Sequence, residues 1–148
     1  MAVDISGFGT SVNIIASNTF PLGFVLTEFS DDADPFDAPS LQIADTAMGV
    51  NGDLLKWSKA NPIKLTVNVV PNGIDDANLS ILFEANRVGA GKLGAQDDIT
   101  MSTVFPDGRI VTFTQGIITD GIPVSSVSSA GRIKTKAYSF AFENKTGI

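Results

Sequence analysis

Apolar and polar residues alternate cleanly from Ile63 to Val70 (IKLTVNVV), with Ile63, Leu65, Val67 and Val69 on one side. A period of two marks a half-buried strand. Similar β-rich runs recur along the chain. Ser11 to Ser17 and Gly23 to Phe29 are separated by Asn18, Pro21 and Gly23, and predict a first hairpin. Leu41 to Met48 is a weaker strand. It is followed by Asn51-Gly52, a strong turn signal, and by Asp53 to Ser58 (DLLKWS). Asp98 to Phe105 and Arg109 to Gln115 flank Pro106-Asp107-Gly108 as another hairpin. Gly116 to Pro123 and Val124 to Ala130 read as strand and loop. The chain closes on an alternating run, Arg132 to Phe142.

The period changes once. After Pro71-Asn72-Gly73, residues Asp75 to Val88 place Leu79, Leu82, Phe83 and Asn86 on one helical face, which Ile81, Ala85 and Val88 broaden. Asp75 and Asp76 suit the positive end of the helix dipole and Arg87 the negative end. Gly89 and Gly91 stop the helix. The fold predicted is mainly β: a barrel or sandwich of about eight strands, one flanking α-helix over residues 75–88, and extended loops, in one domain spanning 1–148.

In the closing run, Arg132, Lys134, Lys136, Tyr138, Phe140 and Phe142 share one side, and Ile133, Thr135, Ala137, Ser139 and Ala141 the other. The first side begins basic and ends aromatic. The second is built mostly of small residues. The aromatic end is expected under the helix, in the core. The basic end is expected to leave the core and meet a neighbour. The small face suits close approach of another layer.

Composition narrows the function. Charged residues make up 18% of the chain, against about 25% in an average soluble domain. That shortage means less solvated surface, or more surface covered by partners. The net charge of -6 argues against a nonspecific grip on nucleic acid. With no Cys and no His, disulfides, thiolate or imidazole metal sites and Ser-His-Asp chemistry are excluded. Met1 to Gly9 holds Asp4 and no Lys or Arg, unlike a secretory signal. No apolar run approaches the ~20 residues of a membrane helix.

Four features invite a chemical reading. Gly89-Ala90-Gly91-Lys92-Leu93-Gly94 fits the dinucleotide-binding glycine pattern, but it follows a helix rather than opening one, so it reads as a helix stop. Asp31, Asp32, Asp34 and Asp37 crowd one Pro-containing loop. Counted from Asp32, Asp37 and Ile43 stand where a calcium-binding EF-hand loop needs Gly and Glu, so a solvated or partner-facing loop is the better reading. Asp75-Asp76 and Asp97-Asp98 read as the starts of a helix and a strand, since adjacent acids on a strand face opposite ways. No enzyme, metal or cofactor is expected.

Two features point to other chains. Leu54, Leu55 and Trp57 follow a tight turn and precede Asn61-Pro62, as either a core strand or an apolar tip that meets another chain. Arg132, Lys134 and Lys136 could touch phosphate or the acidic loop of a neighbouring copy, and the acidic total favours the neighbour.

In order, these segments resemble the tail tube proteins of contractile-tailed bacteriophages. The resemblance rests on the acidic loop Asp31 to Pro39, MGVNGDLLKW (Met48 to Trp57), IKLTVNVVPNG (Ile63 to Gly73), the single helix, the glycine-rich exit, FPDG (Phe105 to Gly108) and GRIKTK (Gly131 to Lys136). It implies a fold like that of the type VI secretion tube protein. It further implies a homo-oligomer: hexameric rings stacked into a hollow tube. The implied partners are the tail sheath, tape-measure, baseplate and tail-terminator proteins. DNA would pass through the lumen without specific binding, and no membrane is involved. Such a chain would be assembled in the host cytoplasm and reside in the virion; tailocin and type VI-like tubes share the same physics. A negative channel would repel DNA only if its acids lay on the wall itself, since screening limits repulsion to ~8 Å. A monomeric β-sandwich binding module using the acidic loop is the rival from a different class. The expected contacts between copies are Asp31, Asp32, Asp34, Asp37, Leu54, Leu55, Trp57, Arg132, Lys134 and Lys136.

Overall fold

The computed structural model describes residues 5–31 and 33–147. Its elements are β1 (Ser11–Ala16), β2 (Phe20–Leu26), β3 (Phe36–Asp37), β4 (Ala44–Met48), β5 (Leu54–Ser58), β6 (Ile63–Val69), α1 (Ile74–Asn86), β7 (Ile99–Val104), β8 (Ile110–Asp120) and β9 (Lys136–Thr146). Seven strands form one antiparallel sheet in the order β2-β1-β7-β8-β9-β6-β3, while β4 and β5 form a separate hairpin.

The large sheet curls back on itself. Beyond β2 the chain crosses to β6, where Phe29 bridges Val69, Ser30 N donates to Asn68 O (3.1 Å) and Val70 N donates to Glu28 O (3.0 Å). This crossing satisfies edge amides that an open sheet would leave unpaired. The mainly β fold with one helix is therefore as the sequence predicts.

Alternation puts Val12, Ile14, Met101, Phe113, Leu65, Val67, Tyr138, Phe140 and Phe142 on the inner face, all buried. Leu79 and Leu82 of α1 join them in the core. Phe142 packs against Phe113 at 5.4 Å and Phe140 at 6.2 Å between ring centroids. Gly116 makes room for this stack, since a Cβ there would fall on the Phe142 ring. The outward face is built from small polar residues joined across strands, as in Ser102–Thr112 (3.3 Å) and Thr66–Ser139 (3.2 Å).

Three expectations change. The closing strand starts at Lys136, not Arg132, and runs to Thr146. Residues 126–134 instead form their own small hairpin: Ser128 N donates to Arg132 O (2.8 Å), Lys134 N donates to Ser126 O (2.7 Å), and Gly131 turns with φ 81°. The segment expected to restart at Gly116 continues β8 through a bulge at Gln115, whose φ is 54°. The helix ends at Asn86, and Ile81 and Val88 face solvent rather than broadening the buried face.

Candidate functional site

The β4–β5 hairpin stands off the sheet as an arm. Its tip turns through Gly52, with φ 86°, while Gly52 N donates to Gly49 O (3.0 Å) and Gly49 N to Asp53 O (2.8 Å). Every residue of β5 is exposed. Met48 retains 67%, Leu54 61%, Leu55 54% and Trp57 48% of its free surface. Register places Ala47 opposite Leu55 and Asp45 opposite Trp57 on one face, and Thr46 opposite Lys56 and Met48 opposite Leu54 on the other. The Lys59–Asp45 ion pair (3.7 Å) braces the base. Of the two readings open to Leu54, Leu55 and Trp57, the core strand is excluded. A two-stranded hairpin is marginal in water by itself, so an arm with apolar residues on both faces gains stability from whatever covers it.

The acidic loop runs beside β6. Phe36 is half-buried opposite Val67, and Asn68 donates through Nδ2 to Asp34 O (2.6 Å). Asp34 and Asp37 are exposed; Asp32 lies outside the described residues. Asp31 pairs with Arg132 of the same chain at 2.6 Å. The two charged segments expected to meet between copies thus already touch within one copy.

The basic trio is split. Arg132 and Lys134 lie on the small hairpin and are exposed. Lys136 is buried on β9, its Nζ 3.3 Å from Asp76 Oδ1. The expected contact role of Lys136 gives way to one inside the chain, because β9's inward face begins with it. Tyr138 OH donates to Asp76 Oδ1 (3.0 Å) and lies 2.8 Å from Ser80 Oγ. Burial, together with the Asp76 charge, pushes the phenol up to about 12, against the opposing effect of the Ser80 bond.

The sequence reading missed how the paired aspartates are used. Asp75 and Asp76 are both buried. So is Asp97, which takes Asn18 N (2.7 Å), Thr19 N (2.9 Å), the Thr19 hydroxyl and Asn86 Nδ2 (2.8 Å). Burial alone would raise its pKa; the bonds from Thr19, Asn86 and Asn18 outweigh that and hold it below the usual carboxylate value. A turn rich in Asn and Thr opposite a buried acid is the signal that was available. Among the described residues no group of three acidic, His or Cys side chains is placed to hold a metal ion.

An open groove of roughly 1140 Å³ lies at the end of the sheet where β2 crosses to β6. Ile5, Phe8, Phe29, Phe36 and Phe105 line it, and Arg109 sits over the Phe105 ring at 5.1 Å. Ile5 and Phe8 keep 92% and 91% of their free surface. The molecule therefore presents two apolar surfaces, one projecting and one concave.

The family described as tail fiber protein gp32 matches residues 3–146. The chain belongs to that family. It is a structural component of a phage-type tail particle. No curated protein matches it in sequence. Two solved structures show the gp32-family fold in other particles. A chain of the anti-feeding prophage baseplate, 6-fold symmetrised, aligns over 100% of this chain and 97% of its own, with TM-score 0.54 and 9% identity. A chain from the PVC sheath/tube terminator of an extracellular contractile injection system, in its extended state, aligns over 100% and 99%, with TM-score 0.54 and 13% identity. At such identities the likeness is one of fold.

Proposed function

We propose that this chain is the self-assembling, non-catalytic subunit of a tail's inner tube, joined into hexameric rings that stack around a lumen. The projecting apolar arm carries the proposal. A monomer gains nothing by holding Leu54, Leu55 and Trp57 in water, whereas a subunit that repeats along an axis covers them with its neighbour. Arm and groove are different patches, as head-to-tail association requires. The likeness in fold to chains of a 6-fold baseplate and of a sheath/tube terminator supports the same reading.

In this assembly the small outward face of β9, Ala137, Ser139 and Ala141, turns toward the lumen, where DNA passes without a specific site. Asp34, Asp37, Lys134 and Arg132 remain at subunit boundaries. The sheath lies outside, the tape-measure protein inside, and the baseplate and terminator at the ends. Assembly takes place in the host cytoplasm. An injection particle without a genome would use the same tube, and one of the two fold neighbours comes from an extracellular contractile injection system.

A second reading, a fibre subunit, is favoured by the family's own description. Negative-stain electron microscopy of the purified chain over a range of concentrations separates the two. Rings or hollow tubes support the conduit. Solid rods without a lumen, or a monomer at every concentration, overturn it.

A further inference from the structure

We propose that Asn51, at the tip of the β4–β5 arm, is a site of self-modification. Its side-chain amide closes on the Gly52 nitrogen, and the residue ends as aspartate or isoaspartate. The reaction needs only water and takes place in the free chain, so it stands apart from the self-assembly reading.

The chemistry limits where this can happen. The backbone nitrogen of the following residue gives its proton to water or hydroxide and attacks the Asn side-chain carbon, Cγ. A C–N bond forms there, and Nδ2 leaves as ammonia, taking a proton back from water. A cyclic succinimide remains, and water adds to one of its two carbonyls. Opening at Cγ leaves an ordinary aspartate. Opening at the main-chain carbonyl leaves isoaspartate, whose main chain runs through Cβ and Cγ. A neutral amide becomes a carboxylate, and nothing is oxidised or reduced. A Cβ on the following residue obstructs the attack, so glycine is the favourable successor. The chain has two such pairs, Asn51-Gly52 and Asn72-Gly73. Asn61 precedes Pro62, which has no N–H to lose.

The fold separates the two pairs, although both asparagines are exposed. Around Gly52 there is open space: a Cβ there would meet no heavy atom within 4 Å. The tip is closed by its own bonds, Gly52 N to Gly49 O (3.0 Å) and Gly49 N to Asp53 O (2.8 Å). The arm is a two-stranded sheet apart from the large one, so its tip opens locally at little cost.

Asn72-Gly73 is fixed on both sides. Asn72 is held at φ 63°, and its N donates to Asp76 Oδ2 (3.0 Å). Gly73 O accepts from Ala77 N (3.1 Å). Glu28 Oε2 stands 2.5 Å from where a Cβ of Gly73 would lie, and Glu28 Oε1 holds Ile74 N (3.1 Å). The attacking nitrogen gains negative charge as it loses its proton, and the carboxylates of Glu28 and Asp76 oppose that charge. At the arm tip the neighbouring acid, Asp53, is exposed, and solvent screens it.

The product alters the arm. It adds one negative charge beside Asp53. Isoaspartate also lengthens the main chain by one methylene, where Gly52 N must reach back to Gly49 O.

Peptide mapping by mass spectrometry tests this on the purified chain, held for days at mildly alkaline pH, folded and in guanidinium chloride. In the folded chain Asn51 should gain one mass unit, as two products that separate on chromatography, severalfold faster than Asn72. In guanidinium chloride both pairs lose their surroundings, and the two rates should converge. Asn51→Gln should abolish the gain at that position. Asn72 converting as fast as Asn51 in the folded chain overturns the proposal. So does an unchanged Asn51 over a time in which the unfolded chain converts. A preference for Asn51 that persists undiminished in guanidinium chloride assigns it to local sequence and overturns the role given to the fold.

Discussion

Asp75 and Glu28 cap each other's elements. Asp75 Oδ2 accepts from Thr27 N and Glu28 N, each at 2.7 Å, at the end of β2. Glu28 Oε1 accepts from Ile74 N (3.1 Å) and Asp75 N (3.5 Å) at the start of α1. Gly73, the helix N-cap, offers no side chain, so Glu28 supplies the capping oxygen from 45 residues away. A Cβ at position 73 would stand 2.5 Å from Glu28 Oε2. Asp75→Ala is therefore expected to lower unfolding free energy by about 1–3 kcal/mol, since it takes the acceptor from two part-buried amides. Urea denaturation measures it. A loss below about 0.5 kcal/mol would mean that water replaces the carboxylate.

Asp97 should make stability depend on acid pH. Its folded pKa lies below the ordinary value, so its contribution is fully present above the unfolded pKa of about 3.9 and fades as pH falls through the folded value. Asp97→Asn should be clearly less stable than the parent at pH 7, and the gap should narrow as pH falls below about 4. Paired denaturation curves across this range check this. A gap that persists undiminished at low pH would place the effect in packing rather than in charge.

Tyr138 is the chain's one tyrosine, so ultraviolet titration of phenolate reads it alone. Its folded pKa is raised to about 12. The stabilisation it brings is present below the unfolded value of about 10 and is lost as pH rises through the folded one. The folded protein should ionise near 12 and the urea-unfolded protein near 10. A folded midpoint at 10 would mean that the Asp76–Tyr138 contact is open to water.

Trp57 is likewise the one tryptophan. It is half-exposed on the arm, so its emission should shift to the blue as the chain associates. Trp57→Ser should leave the monomer's stability within about 0.5 kcal/mol of the parent while suppressing assembly. A large loss of monomer stability would place Trp57 in the fold instead.

Lys134 and Lys136, two residues apart, should behave differently. Lys134 is exposed, and Lys134→Glu should change unfolding free energy by no more than about 0.5 kcal/mol. Lys136 is buried against Asp76 at 3.3 Å. Lys136→Glu leaves two buried acids facing each other and should cost about 3–5 kcal/mol or more. Thermal melts of the two single variants compare them directly; equal melting points would remove Lys136 from the interior.

Much of this protein was legible from local pattern. Ile63–Val69, the Asn51-Gly52 turn, the helix after Gly73 and the inward Tyr138-Phe140-Phe142 series follow from side-chain period and turn chemistry, which act over a few residues. What the sequence left open was settled by contacts between distant segments. Leu54, Leu55 and Trp57 have the composition of a core strand, but β5 pairs with β4 in a hairpin apart from the large sheet. Lys136 continues the alternation of Arg132 and Lys134, yet a tight turn at Gly131 puts the first two on a separate hairpin, and Asp76 draws the third inside. The buried work of Asp75, Asp76 and Asp97 depends on partners 47, 62 and 79 positions away. Period and turn type are properties of neighbours in the chain. Burial and pairing of charge depend on which strands lie side by side, and only the closed sheet decides that.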